Sequence, residues 1–195
     1  REALGRCVDI GRSMADKRGI SFEVVDCDDN TPAILADATC LQQVLLSLLS
    51  NAVKYNRDRG SVTLQCQPTA GNCLRFSVRD TGLGIPPEQH QELFLPFRRL
   101  GMESGSIEGA GIGLTITQNL VDLMDGKLSF ETELGVGSTF HVDFQMAPLN
   151  PSEQPCAPVG ASATVDLHAP SNGTNLVLYI EDNPANVKLM TAIIE

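Results

Sequence analysis

The sequence predicts a two-layer α+β sandwich, in which helices cover a β-sheet. Its predicted helices and strands follow one another without the strict alternation of βαβ proteins, which favours this class. Several strand candidates alternate polar and apolar residues with a period of two. With 195 residues, of which 42% are hydrophobic, the chain is long enough for one domain with a core and a further short piece.

The predicted elements rest on local signals. The most apolar helix contains L-Q-Q-V-L-L-S-L-L-S-N-A-V-K and is followed by N-R-D-R-G, a stop signal before the next strand. A later helix begins directly after a glycine cluster. In chain order, the expected elements are helix 2–18, strand 20–25, helix 38–54, strands 61–67 and 74–79, helices 87–94 and 112–124, and strands 127–132 and 138–145.

Composition argues against several functional classes. The net charge of −10 disfavours nucleic acid as a partner, because proteins that bind nucleic-acid phosphates need basic surfaces. The six cysteines show no C-x-x-C or Cys/His ligand spacing, so we expect reduced thiols and no disulfide or zinc framework. No signal peptide or apolar run of transmembrane length is apparent. We therefore expect a cytoplasmic domain without direct membrane contact, although its parent protein could be membrane-anchored.

Two glycine clusters together suggest one nucleotide pocket: D-T-G-L-G-I at 80–85 and E-G-A-G-I-G-L at 108–114. Glycines let backbone N–H groups approach phosphate oxygens closely, and a helix that opens after the second cluster adds the positive end of its dipole. Either cluster alone is weak evidence, because similar strings occur in ordinary turns. Asn51 and Lys54 add to it, since their spacing puts an amide and an ammonium on one helix face, where they could serve a metal–polyphosphate ligand.

Five motifs then make a specific family resemblance: N-A-V-K-Y, D-T-G-L-G-I, L-F-L-P-F, G-A-G-I-G-L and G-S-T-F. In this order, over residues 1–145, the chain resembles the ATP-binding domain of sensor histidine kinases, which belongs with the gyrase, Hsp90 and MutL ATPases. The resemblance implies a Bergerat-type fold, in which a mixed sheet and helices hold ATP under a mobile lid.

The resemblance also implies roles for single residues. Asn51 would coordinate the Mg²⁺ that bridges the phosphates, and Lys54 would contact phosphate oxygens, so both would be catalytic. Asp80 would accept a hydrogen bond from the exocyclic amine of adenine; the alternative is a turn aspartate. Tyr55 would pack near the base, unless it is a half-buried core tyrosine. The remaining nucleotide contacts would be Gly82, Gly84 and Ile85 beside the base, Gly109, Gly111, Gly113 and Leu114 in the phosphate-cradling box, and Thr139.

The segment between Pro96 and Gly109 fits the lid that closes over ATP in this family. Phe94 and Phe97 resemble the phenylalanine box that couples lid to body, although core phenylalanines would have the same sequence signature. Arg98 or Arg99 could reach a phosphate or a partner domain, or could be a solvated lid charge.

Ser47 departs from the family pattern. Hydrolytic relatives carry a glutamate four residues before the metal-binding asparagine, and many histidine kinases carry asparagine there. Serine is a poor general base, so we expect little intrinsic hydrolysis and transfer of the phosphoryl group instead.

The phosphoacceptor is expected on another domain. None of His90, His141 and His168 lies in an H-E-x-R-x-P-like motif, so each is expected to be structural or solvated. The partner would be the dimerising, phosphoaccepting helical domain of the same kinase, and the chain would be an excerpt of that kinase.

The last residues resemble the start of a response-regulator receiver domain. In N-L-V-L-Y-I-E-D-N-P, Glu181 and Asp182 would be its Mg²⁺-binding acidic pair, or else a helix cap. The intervening residues are rich in proline, serine, alanine and glycine, which is typical of a flexible linker. The expected domains are therefore an ATP-binding domain at 1–148, a linker at 149–174 and a truncated receiver at 175–195.

Two functional classes follow. The first is the catalytic ATP-binding domain of a hybrid sensor histidine kinase in a two-component phosphorelay, with ATP and Mg²⁺ as ligands and a receiver domain or response regulator as a further partner. The alternative is a degenerate, non-catalytic nucleotide-binding or protein-interaction module. A serine kinase of the anti-sigma type shares the motifs but would usually lack a receiver tail.

Overall fold

A five-stranded mixed sheet organises the part of the chain that the computed structural model describes, residues 2–27, 31–97 and 112–147. The sheet order is β1-β2-β3-β5-β4, with β1 and β2 parallel and all other neighbours antiparallel. The elements are α1 (Glu2–Asp16), β1 (Ser21–Val25), α2 (Ala38–Lys54), β2 (Ser61–Thr69), β3 (Cys73–Asp80), a 3₁₀ helix (Pro87–Glu92), α3 (Gly113–Leu123), β4 (Lys127–Glu133) and β5 (Gly137–Gln145).

The strands alternate between an apolar inner face and a polar outer face. Leu64, Phe76 and Phe144 are buried on the inner face, where the helices pack. On the outer face, Arg75 pairs with Asp143 in two hydrogen bonds of 2.6 and 2.7 Å. This alternation confirms the period of two in the sequence, and within the described ranges no helical layer covers the outer face of the sheet.

Helix α2 is the centre of the helical layer. It contacts α1 and α3 and buries an apolar stripe that includes Leu45 and Leu49. Asp37 caps its start by accepting a hydrogen bond from the Cys40 backbone N–H at 2.8 Å. Arg18 caps its end by donating to the Lys54 carbonyl at 2.9 Å. Both ends of the helix are thereby fixed, which matters because α2 carries Asn51 and Lys54.

Two helix predictions differ from the structure. The first helix ends at Asp16 rather than at residue 18, because Gly19 adopts φ +62° and closes a turn onto the end of α1. The segment predicted as helix 87–94 is a six-residue 3₁₀ helix. Its length and the consecutive Pro86 and Pro87, which lack backbone donors, favour 3₁₀ over α-helical geometry.

The expectation that all cysteines are reduced is wrong for one pair. Cys27 and Cys66 form a disulfide with a Cα–Cα distance of 5.1 Å, although 39 residues separate them in sequence. They meet because β1 and β2 pair in parallel, with Val25 opposite Gln65. Local cysteine spacing carries no trace of such a strand pairing, which is why the sequence does not predict the disulfide.

The two histidines within the described ranges are bound into the fold. His90 Nε2 lies 3.0 Å from the Ile85 carbonyl oxygen, and the ring meets Phe130 edge-on. His141 Nδ1 lies 2.8 Å from Ser77 Oγ on the outer face, where burial lowers the His141 pKa. These contacts are those of structural residues. None of the described helices is both long and apolar enough to cross a membrane.

Candidate functional site

Asp80, at the end of β3, is a buried carboxylate held by backbone donors. Its Oδ1 accepts hydrogen bonds from the N–H groups of Gly82 at 2.8 Å and Ser138 at 3.2 Å. Burial raises the Asp80 pKa, and the two N–H groups oppose that rise. No residue in the described ranges donates to Oδ2, so this oxygen can still accept a hydrogen bond from a ligand.

The glycine turn after Asp80 is held between α2 and the β4–β5 hairpin. A Cβ on Gly82 would lie 2.3 Å from the Tyr55 carbonyl oxygen, and one on Gly84 would lie 2.0 Å from the Glu133 carbonyl oxygen. Gly84 also has φ +67°, which disfavours side chains. Ile85 donates its N–H to Thr132 Oγ1 at 2.9 Å. The turn therefore requires its glycines for close backbone packing.

Helix α2 ends beside this turn, and the link between the two is made by the backbone of Tyr55. The Tyr55 carbonyl oxygen, directly after α2, accepts the Leu83 N–H at 3.1 Å. Asn51 and Lys54 are half-buried on the last turn of α2, and no side-chain hydrogen bond or ion pair within the described part of the chain engages either. Tyr55 is 41% exposed, so part of it is open to solvent.

The strand register separates Thr139 from the Asp80 carboxylate. Thr139 lies opposite Arg79 and Glu131 on the outer face. It lines an open cleft of about 390 Å³, whose lining also includes Asp80 and Ser138. Ser138, one residue earlier, is buried on the inner face and is the residue that contacts Asp80. The backbone N–H that contacts the carboxylate is that of Ser138, and Thr139 stays a predicted nucleotide contact at the edge of the same cleft.

Helix α3 begins at the second glycine cluster, and no described side chain caps the backbone donors of its first turn. Gly113 and Leu114 lie in this turn. The Thr115 hydroxyl donates to the Phe94 carbonyl at 2.8 Å, and the Thr117 hydroxyl donates to Ser47 on α2 at 2.8 Å. These contacts place the start of α3 against α2, on the helical side of the sheet.

The two phenylalanines of L-F-L-P-F differ in environment. Phe94 packs edge-on against Phe130 with a centroid distance of 5.9 Å, whereas Phe97 is 78% exposed. Several predicted site residues lie outside the described ranges: Gly109, Gly111, Arg98 and Arg99 in and after the expected lid, and Glu181, Asp182 and His168 in the C-terminal segments.

Comparison with known proteins decides the family. Residues 36–148, more than half of the chain, match the profile of the histidine kinase-, DNA gyrase B- and HSP90-like ATPases. The chain belongs to this family. The α+β fold predicted for the ATP-binding domain is confirmed by the same comparison and by the mixed five-stranded sheet. The relatives described below identify it as a histidine kinase-type ATPase domain.

Three curated relatives illustrate the match. The virulence sensor protein BvgS of Bordetella bronchiseptica is 33% identical over 185 residues, 91% of this chain. The autoinducer 2 sensor kinase/phosphatase LuxQ of Vibrio parahaemolyticus is 31% identical over 94% of this chain. The adaptive-response sensory kinase SasA of Synechococcus elongatus is 39% identical over 60% of it. The chain spans only 14%, 22% and 30% of the length of these proteins, respectively.

Solved structures give the same result for the ATPase domain. Full-length ShkA, solved in complex with AMPPNP, is 33% identical with a TM-score of 0.63, over 75% of this chain and 30% of ShkA. The mycobacterial sensor histidine kinase MprB is 25% identical with a TM-score of 0.63, over 75% of this chain and 97% of that one.

Two residues that the structure links to the predicted site residues were not predicted from the sequence: the Ser138 backbone contacts Asp80, and the Thr117 side chain contacts Ser47. Local sequence does not distinguish Ser138 from its neighbour Thr139. Only the strand register shows that the Ser138 N–H is the one next to Asp80. Thr117 is buried at 1% exposure on α3, and a threonine inside an apolar helix carries no signal of its role. Its partner Ser47 did stand out, as a departure from the family pattern.

Proposed function

We propose that this ATPase domain binds Mg²⁺-ATP and donates the γ-phosphate to a histidine on the dimerising helical domain of the same kinase. The observation that carries the proposal is the buried Asp80 carboxylate, which has one oxygen fixed by backbone donors and the other without a partner among the described residues. Neither the fold nor the comparisons favour the degenerate, non-catalytic module.

Asp80 suits adenine better than guanine. The exocyclic amine of adenine can donate a hydrogen bond to Oδ2, whereas guanine presents a carbonyl oxygen at that position. Two acceptors would then face each other at a buried site, where an unpaired polar group is costly. A protein 33% identical to this chain, ShkA, was solved with AMPPNP, an analogue of ATP, which supports an adenine nucleotide as the ligand.

Asn51 and Lys54 suit the polyphosphate. An amide oxygen is a hard ligand that Mg²⁺ accepts, and an ammonium group can neutralise a phosphate oxygen. Within the described ranges, no group of three or more histidine, cysteine or acidic residues could hold a metal by itself. This donor set fits a cation held mainly by phosphate oxygens, with Asn51 as its protein ligand. When bound, Mg²⁺ would supply charge neutralisation at the phosphates.

The first turn of α3 would complete the phosphate contacts. Its N-terminus has no side-chain cap, so its backbone N–H groups can donate to an anion. Gly113 and Leu114 are the predicted phosphate contacts that lie in this turn, and Gly109 and Gly111 precede it in the sequence. Ser47 cannot act as a general base for water, because a neutral hydroxyl is a weak base. The chain's own residues therefore favour binding and orienting ATP for transfer over hydrolysing it.

The C-terminal residues extend the proposal to a receiver. Residues 149–174 would be a linker, and residues 175–195 would begin a receiver domain with Glu181 and Asp182 as its acidic pair. The alignments with BvgS and LuxQ cover 91% and 94% of the chain. The uncovered remainder is shorter than residues 175–195, so each alignment must include at least part of this segment. The proposed partners are thus the phosphoaccepting helical domain and a receiver domain or response regulator.

Calorimetry on the full chain tests nucleotide binding directly. ATP should bind only weakly without Mg²⁺ and more tightly with it, and GTP should not compete. Asn51→Ala should remove the gain in affinity that Mg²⁺ gives. An ATP affinity that is the same with and without Mg²⁺, together with equal affinities for ATP and GTP, would contradict the proposal.

Transfer needs a second experiment. The full chain, mixed with γ-labelled ATP and a separately supplied histidine-kinase helical hairpin, should label the hairpin, and a hairpin with its histidine replaced should stay unlabelled. Binding without any transfer would point to the non-catalytic alternative.

A further inference from the structure

The two nucleotide-binding helices are joined by a pair of hydroxyl groups. Thr117 Oγ1 on α3 donates to Ser47 Oγ on α2 at 2.8 Å, and both oxygens lie near the Gly113 carbonyl oxygen, at 2.8 and 3.5 Å, respectively. The single Thr117 hydroxyl proton can go to Ser47 Oγ or to the Gly113 carbonyl oxygen, and in the second case Ser47 donates its proton to Thr117 Oγ1. The three oxygens thus form a closed arrangement between the helices.

The position of this arrangement is informative on both helices. Ser47 lies one helical turn before Asn51, on the same side of α2. Gly113 is the first residue of α3, whose uncapped first turn carries the backbone donors assigned to phosphate. The hydroxyl pair therefore sits between the proposed metal ligand and the proposed phosphate cradle, without being part of either.

We propose that Ser47 and Thr117 are a positioning pair, which holds the first turn of α3 in register with Asn51 so that both reach one polyphosphate. The proposal rests on the proposed function and deepens it. The Ser47 hydroxyl contacts Thr117 and thereby joins α2 to α3. The glutamate or asparagine found at this position in relatives could face the phosphates, whereas the serine of this chain makes a contact between helices instead. Thr117 is 1% exposed, so water does not compete for its hydroxyl.

The test compares two ligands that use the site differently. Mg²⁺-ATP needs both the adenine pocket and the phosphate cradle, whereas adenosine needs the pocket alone. We expect Thr117→Val and Ser47→Ala, made in the full chain, each to weaken Mg²⁺-ATP binding about fivefold, the equivalent of one hydrogen bond. Adenosine affinity should not change. The double variant should bind ATP no more weakly than either single variant, because both remove the same contact.

Thr117→Ser is the matched control, since it keeps the hydroxyl and should keep the ATP affinity of the original chain. If Thr117→Val failed to fold, Ser47→Ala at its partly exposed position would still decide the matter. Unchanged ATP affinity in the variants, or an equal loss for ATP and adenosine, would overturn the positioning role. Absence of ATP binding by the unaltered chain would overturn the proposed function itself, which is a distinguishable result.

Discussion

Ser138 donates its backbone N–H to Asp80 Oδ1 over 3.2 Å and thereby joins β5 to the carboxylate at the end of β3. Gly82 donates to the same oxygen at 2.8 Å. Because two backbone donors from different segments fix Oδ1, the orientation of the carboxylate is set before any ligand arrives. Such pre-organisation lowers the cost of recognising a single amine.

Replacing Asp80 by Asn should weaken ATP binding without destabilising the fold. The amide can still accept the Gly82 and Ser138 N–H groups through its oxygen, but its NH₂ group would then face the adenine amine. We expect ATP affinity to fall about 100-fold, as for loss of a hydrogen bond to a charged group. Thermal stability should stay equal or rise, because a buried charge is removed. The exposed Asp122→Asn is the matched control, and equal ATP affinity in both variants would refute the adenine role.

Acidification should move ATP affinity and Asp80's contribution to stability in opposite directions. Burial raises the Asp80 pKa in the fold, so the folded state binds the proton more tightly than the unfolded state. The stability that this group contributes is therefore complete below its unfolded pKa of about 3.9 and is lost as pH rises through the folded value. ATP needs the carboxylate as an acceptor, so affinity should fall as pH drops through the same window.

Two measurements check the pH prediction. Calorimetric titrations with ATP at several pH values should show weaker binding on the acid side, beginning above the ordinary aspartate pKa of about 3.9. Urea unfolding of the ligand-free chain should show a pH dependence that Asp80→Asn reduces. If ATP affinity stayed constant as the pH was lowered to the ordinary aspartate pKa, the result would contradict a raised Asp80 pKa.

Ser138 and Thr139 should differ sharply in their effect on ATP. Ser138→Val places a branched side chain on the inner face next to the carboxylate, whereas Thr139→Ala trims a side chain on the outer face. We expect Ser138→Val to weaken ATP binding about tenfold, a cost typical of overpacking a close-fitting site. Thr139→Ala should leave it unchanged. A competition assay with a fluorescent ATP analogue would detect the difference, and the reverse ranking would favour Thr139 as the closer nucleotide contact.

The disulfide should stabilise the domain. Cys27 and Cys66 close a loop that contains all of α2, with a sequence separation of 39 between the cysteines. Removing such a cross-link costs about 4 kcal/mol of unfolding free energy in the chain-entropy account. Urea unfolding with and without reductant should show that difference. Cys66→Ser should abolish it, while Cys73→Ser, which alters an unbridged cysteine, should preserve it. If thiol titration found the same number of free thiols before and after reduction, the disulfide would be ruled out.

Sequence patterns predicted most of the helices and strands for a physical reason. Apolar periodicity and glycine clusters are local, and they located β2, β3 and the turn after Asp80 within one or two residues. Local patterns do not distinguish Ser138 from Thr139, because a one-residue shift along a strand exchanges its faces. Cys27 and Cys66 meet only through the pairing of β1 with β2, and Thr117 finds Ser47 only through helix packing. Contacts between distant segments are the information that local patterns lack.

Gly84 should be far less tolerant of alanine than Gly71, although both have a positive φ. Gly84 has φ +67° and Gly71 has φ +83°, so alanine costs about 1 kcal/mol of backbone strain at either position. Only at Gly84 would the new Cβ also meet backbone, since it would lie 2.0 Å from the Glu133 carbonyl oxygen, whereas nothing lies within 4 Å at Gly71. Gly84→Ala must therefore separate the nucleotide turn from β4.

Thermal unfolding and ATP titration of the two glycine variants check this. Gly71→Ala should lose a little stability and no ATP affinity. Gly84→Ala should lose more stability and, because the turn also fixes Asp80 through Gly82, should lose ATP affinity as well. Equal behaviour of the two variants would mean that the close approach to Glu133 is not needed to hold the turn, and that backbone conformation alone explains the glycine.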